Sequence, residues 1–231
     1  NTDGSIDSQV SVNTTAGFSI ATYTATSGTS SIGHGLGTTP SMIILKAIDQ
    51  TSGWVTGLSV LGWDKYLSLQ STNAFTTDDR MFSPSGGTDP TSTLFWSNQA
   101  AIGNAGTMVA YCFADVKGFS KMGSYTGNGN ADGTFVYTGF KPAFIIIKPS
   151  SKIEEWTLID NKRLGYNPDN NYVYPNQNYA EMTNDRLDIV SNGFKITSST
   201  GEVNTSGATM IYMAFAENPF VGSDGTPVTA R

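Results

Sequence analysis

The chain has 231 residues, a formal net charge of −6 and only 14% charged side chains, against about 25% in an average globular protein. The acidic balance argues against nucleic-acid binding, which needs a basic face, and against anionic membrane surfaces; no apolar run approaches the ~18 residues that would cross a bilayer. A single cysteine, Cys112, rules out an internal disulfide.

Ser, Thr, Asn and Gly supply most of the polar surface. Residues 1–16 read as a polar lead-in with one strand at Ile6–Val12, where Val10 and Val12 share a face. Asn1-Thr-Asp-Gly-Ser-Ile6 has the look of a junction, so the chain is expected to be a piece of a longer protein. Short strands follow at 18–24, 41–46, 54–60, 66–70, 94–97 and 107–114. A second set is predicted at 119–126, 134–137, 143–148, 155–160, 172–174, 186–190, 194–197 and 209–216. Turn words separate them: Ser27-Gly28, Gly86-Gly87, Asn128-Gly129, Asp132-Gly133, Asn192-Gly193 and Ser206-Gly207. The apolar run Met108–Ala114 is the best rival for a helix, but its length and aromatic content favour a strand buried on both faces.

The two sets repeat each other. Pro40-Ser-Met-Ile-Ile-Leu-Lys46 returns as Pro142-Ala-Phe-Ile-Ile-Ile-Lys148, Trp54 as Trp156, and Thr107–Ala114 as Thr209–Ala216, each 102 residues on. Gly17-Phe18-Ser19 returns as Gly118-Phe119-Ser120, one residue out of phase. Solenoid units run ~20–50 residues, so this period means tandem domains. The expected fold is all-β: two tandem β-sandwiches of jelly-roll or lectin-like type. Residues 1–16 are the lead-in, 17–117 the first sandwich, 118–220 the second and 221–231 a tail. The short link Asp115-Val116-Lys117 suggests that the two pack closely. The Ile-Ile-Leu and Ile-Ile-Ile runs are expected to be buried on both faces, with Lys46 and Lys148 returning the chain to water.

Few residues point to chemistry. His34, in Gly33-His34-Gly35-Leu36-Gly37, has neither the spacing of a dinucleotide fingerprint nor a second histidine for zinc; a Gly-rich turn is the better reading. Cys112 reads as a buried thiol. Of the carboxylates, Asp78-Asp79, Glu154-Glu155 and Asp185 with Asp188 could serve glycoside hydrolysis, which uses two flanking acids. Neighbours on a regular strand face opposite ways, which disfavours Glu154 with Glu155. Asp79-Arg80 returns as Asp185-Arg186, which suggests a structural contact. The loops 128–132 and 167–171 gather oxygens of the kind Ca²⁺ takes, without EF-hand spacing; turn formation is their ordinary role, and no cofactor is expected.

The aromatics are the candidate binding residues. Trp54 and Trp156 occupy equivalent places and are expected in the core. Trp63, Trp96 and the cluster Tyr166, Tyr172, Tyr174 and Tyr179 lie beside Asn, Asp and Gln. Apolar ring faces next to amides and hydroxyls suit sugar recognition, and tyrosine is also enriched between subunits.

Several phrases carry a resemblance: Asn1-Thr-Asp-Gly-Ser, Asn13–Ile20, Gly33–Pro40, Gly123–Gly133, Val136-Tyr-Thr-Gly-Phe140-Lys-Pro and Ala214–Phe220. Together they resemble a repeated β domain of uncharacterised role found in tail-fibre-like proteins of marine and aquatic bacteriophages. The closing Pro-Val-Thr-Ala-Arg231 is similar to that family's C-terminus. The resemblance implies a virion appendage, assembled in the host cytoplasm, whose role is attachment to the host surface through a glycan or protein receptor. It also implies contacts with other virion proteins and a homo-trimer, and supplies no catalytic motif. The alternatives are a purely structural virion part, such as a capsid decoration or adaptor, and a glycan depolymerase. Neither nucleic-acid binding nor membrane insertion is expected, and the protein is expected not to be an enzyme.

Overall fold

The computed structural model describes residues 1–78, 80–83, 89–98, 106–165, 167 and 170–217. The chain divides into two compact units, 1–69 with 75–115, and 70–74 with 116–231. Nearly all regular structure is strand. Among the described residues no helix is long and apolar enough to cross a membrane.

In the first unit, β1 (Ser8–Asn13), β2 (Phe18–Thr24), β9 (Thr107–Phe113), β4 (Met42–Ala47), β5 (Val55–Leu58), β6 (Lys65–Ser68) and β7 (Thr76–Thr77) form one sheet in that order. A second sheet pairs β3 (Thr29–Gly33) with β8 (Leu94–Asn98). The core combines side chains of both sheets, among them Ala21, Tyr23, Ile43, Leu45, Ala110 and Cys112 from the large one and Ile32 and Phe95 from the small one. The alternation of β2 explains its place: Ser19, Ala21 and Tyr23 are buried, while Phe18, Ile20 and Thr22 are half-buried.

The second unit has a sheet ordered β10 (Ser120–Thr126), β17 (Thr209–Ala216), β12 (Pro142–Pro149), β13 (Thr157–Asp160), β14 (Tyr172–Val173). Its partner sheet runs β11 (Phe135–Tyr137), β16 (Gly193–Ile196), β15 (Leu187–Val190), and a one-turn helix, α1 (Gly201–Asn204), precedes β17. Tyr125, Ile145, Ile147, Ile159 and Tyr212 meet Val136, Leu187, Ile189, Phe194 and Ile196 in the core. Each unit is thus a β-sandwich, and β2-β9-β4-β5 has the same order as β10-β17-β12-β13. Gly17 and Gly118 turn the chain into β2 and β10 at φ 63° and 79°, a conformation that costs glycine nothing.

Several expectations need correction. Residues 8–13 of the lead-in are part of the first unit: β1 pairs with β2 along its whole length, from Ser8↔Tyr23 to Asn13↔Phe18, and closes that edge of the sheet. Residues 108–113 are strand and β17 is buried on both faces at 210–214, but in β4 and β12 the middle residues Ile44 and Ile146 are only half-buried, because little covers the outward face there. Trp156 is buried at 2%, whereas Trp54 is 37% exposed. Trp54 stacks on Tyr111 at 6.3 Å with the Lys46 ammonium 6.0 Å from its ring. Tyr111 alternates with the core residues Ala110 and Cys112, so this stack stands on the outward face of the sheet.

The two lysines do not return the chain to water. Lys46 Nζ donates to Ala47 O (2.7 Å) and Ser52 Oγ (3.1 Å). Lys148 is fully buried, and its Nζ donates to Thr72 O (3.0 Å), Pro149 O (3.1 Å) and Lys152 O (3.0 Å). Thr72 lies in the segment 70–74, which the second unit takes from within the stretch of chain that builds the first. Glu154 N also donates to Thr72 O.

Candidate functional site

The tyrosines come together in the second unit, at the edge strand β14. Tyr172 pairs with Ile159 of β13 on one side and bridges Met182 on the other, and its ring is buried at 1%. Tyr174 follows on the same side of the strand. A turn closed by Gln177 N donating to Tyr174 O (3.0 Å) then brings Tyr179 back. The rings form a ladder of edge-on contacts: Tyr172 to Tyr174 at 5.3 Å and Tyr174 to Tyr179 at 6.3 Å. The ladder runs from the core to solvent, where Tyr179 is 57% exposed.

An ion pair fixes its inner end. The Arg186 guanidinium lies 4.6 Å from the Tyr172 ring centroid and bonds Glu202 Oε1 through Nε (2.9 Å) and Nη2 (2.7 Å). Tyr174 Oη donates to the same Glu202 oxygen (3.1 Å). Burial is the largest single influence on Arg186 and pulls it toward the neutral form, but the charge of Glu202, the Tyr172 and Tyr174 hydroxyls and the hydrogen bond to Glu202 together outweigh it, and the net shift is upward. Burial, the Tyr172 hydroxyl and the Glu202 charge push the Tyr174 phenol up, so it stays protonated and remains a donor. Nearby, Glu154 Oε1 lies against Gly201, and an added Cβ there would come within 2.2 Å of it. Burial, then repulsion from Glu202, raises the Glu154 carboxyl above its ordinary value.

The amides beside the ladder face inward. Asn176 Nδ2 (2.5 Å) and Gln177 Nε2 (3.0 Å) donate to Glu155, and Trp156 N donates to Asn176 Oδ1 (3.1 Å). They position the turn that carries Tyr179. Glu181, two residues on, takes Asn171 Nδ2 (2.7 Å) and Arg163 Nη1 (2.5 Å), which tethers the far side of the same loop.

The other predicted residues are scattered. Tyr166 lies outside the described residues, as do Asp79, Gly86 and Gly87. Trp63 is buried at 4%, edge-on to Phe82 at 5.7 Å; it is a core residue, because Phe82 packs across it. Trp96 is a half-buried residue of β8 in the first unit. His34 is fully buried: Leu36 N donates to its Nδ1 (3.2 Å) and its Nε2 faces Thr91 O (3.1 Å). Those partners assign the Nε2–H tautomer, and burial lowers its pKa. Cys112 is buried and its thiol is pushed up to about 12 by burial. Arg186 pairs with Glu202; the Asp185 carboxylate instead accepts from the Thr197 hydroxyl. In the 128–132 loop, Asn128 Oδ1 accepts from Asn130 N and Asn204 Nδ2, and Asp132 pairs with Lys195. Among the described residues no three His, Cys, Asp or Glu side chains cluster as metal ligands.

Residues 1–219 match the family described as a domain of unknown function, DUF7483. The chain belongs to this family. The match runs through both sandwiches and includes β1, so a DUF7483 domain comprises the pair. Neither the curated proteins nor the solved structures include a match to the chain.

Proposed function

We propose that this DUF7483 pair is an attachment module of a bacteriophage virion appendage, of the tail-fibre type, and that it binds a glycan on the host surface at the outer end of the tyrosine ladder. The observation that carries the reading is the exposed Tyr179 ring, backed edge-on by Tyr174 and held by a loop tied at both ends. A rigid aromatic face presents contact area at little entropic cost, and stacking on sugar C–H groups needs such a face. The phage setting comes from the sequence resemblance. Several copies in one fibre, as in a trimer, would turn weak single sites into avid attachment.

Tyr179→Ala tests the site, because the side chain is exposed and its loss leaves the core untouched. Labelled protein is incubated with host cells and with a glycan array. The variant is expected to lose about tenfold or more in retention, as befits an aromatic anchor, with an unchanged melting temperature. Retention equal to wild type refutes the proposal.

A further inference from the structure

We infer that the outward face of the β11-β16-β15 sheet is a second binding surface, for a carboxylated sugar, with Phe135 and Tyr137 as stacking residues and Lys121 as the countercharge. Val136 is buried in the core at 5%, so alternation turns Phe135 and Tyr137 to the opposite face. They are 47% and 60% exposed. Residues two apart on a strand stand about 7 Å apart, close enough for one short oligosaccharide to touch both. Of the other exposed apolar side chains, Ile48, Ile153 and Leu164 lie outside the strands and Val12 stands singly on β1; scattered exposure of that kind is ordinary. Opposite Tyr137 in the register stands Gly193, which has no side chain to cover the ring.

This face carries both signs: Asp188 stands opposite Lys195 in the register, and the cation that lies at the Tyr137 ring is Lys121. Lys121 Nζ lies 5.8 Å from the Tyr137 ring centroid and donates to Tyr137 O (3.1 Å). It makes no ion pair among the described residues. Lys195, opposite Phe135 in the register, is already engaged: it pairs with Asp132 and donates to Gly133 O. The match to a ligand that carries a carboxylate on the sugar it stacks is local, an ammonium beside an exposed ring, and holds against the overall charge of −6. A protein occupant is disfavoured by area. The two rings expose on the order of 200 Å², against about 800 Å² per partner in a stable interface. The inference rests on the reading of the module as a glycan binder, but not on the Tyr179 ladder.

The test titrates the full chain by calorimetry with an oligomer of four galacturonic acid units and with an uncharged galactose oligomer of equal length. Wild type is expected to bind the acidic oligomer at least about fivefold more tightly than the uncharged one. Tyr137→Ala should weaken the acidic oligomer about tenfold, worth ~1.4 kcal/mol. Lys121→Gln should weaken it about fivefold and leave the uncharged oligomer unchanged. Tyr179→Ala should leave both unchanged. No binding of the acidic oligomer at millimolar concentration overturns the inference. So does equal affinity for the two oligomers, or full affinity in Tyr137→Ala. If cell retention still depends on Tyr179 while the acidic oligomer fails, only this surface is refuted; if cell retention is absent as well, the attachment reading falls with it.

Discussion

Lys148 shows how one side chain can hold a segment that lies far off in the sequence. Its ammonium is enclosed by three carbonyls, and Met in its place would take the donor from Pro149 O and Lys152 O, while Thr72 O would keep Glu154 N. An unsatisfied buried acceptor costs about 1–3 kcal/mol. Lys148→Met is therefore expected to lower the unfolding free energy of the second unit by an amount in that range, read as a lower urea midpoint. The pH dependence has a definite sign. Burial lowers the Lys148 pKa from 10.5 to about 8, against the opposing pull of Glu154 and Glu155. Between those values the unfolded chain holds the proton and the folded one does not, so stability attributable to this group rises with pH. Wild type should gain stability relative to Lys148→Met from about pH 8 upward; a flat difference would show that the amine keeps its proton. Arg186 makes the complementary case. Its side chain and that of Glu202 are 12% and 11% exposed, and removing one partner of a buried pair costs about 3–5 kcal/mol. Arg186→Met should approach that loss in chemical denaturation, and Arg186→Met with Glu202→Gln should recover part of it.

At the scale of elements, the predicted strands match the observed ones closely because most carry an apolar run between turn words. The exceptions are instructive. β3 reads Thr-Ser-Ser-Ile-Gly, with one apolar residue, Ile32; it is a strand because β8 pairs with it along its length, a partner about 65 residues away in the chain. β1 was legible as a strand but not as the edge of a sheet. Deleting residues 1–13 would uncover the backbone donors and acceptors of β2, and an open edge invites pairing between copies. The truncated protein is expected to melt at lower temperature and to scatter more light at rising concentration; unchanged values would mean that β1 adds nothing. The site was legible only in part. The ladder brings together Tyr172, Tyr174 and Tyr179 as their closeness in sequence promised. Burial divides them by role, and the Arg186–Glu202 anchor comes from two distant segments that no local pattern joins. Trp63 read as a binding residue because polar residues lie beside it, and its burial depends on Phe82. Phe135 and Tyr137 read as ordinary strand residues, since nothing local says which sheet face is left open.

For the molecule as a whole, the borders of the two units matter more than their number. The second unit includes 70–74 as well as 116–231, so a fragment beginning at Val116 would lack Thr72, a carbonyl acceptor of Lys148. That fragment is expected to unfold at lower urea than the same unit does in the full chain, followed by near-ultraviolet circular dichroism of its buried Trp156. Identical midpoints would show that the segment is dispensable.

That borrowed segment has a mechanical side. Residues 69 and 75, on either side of it, belong to one sandwich, while the residues between them are gripped by the other. A chain pulled from its ends passes load along its backbone. In a simple string of beads, one bead can spill its whole length while the next stays shut. Here the chain of the first unit cannot be paid out past Leu69 without first freeing residues 70–74 from the second.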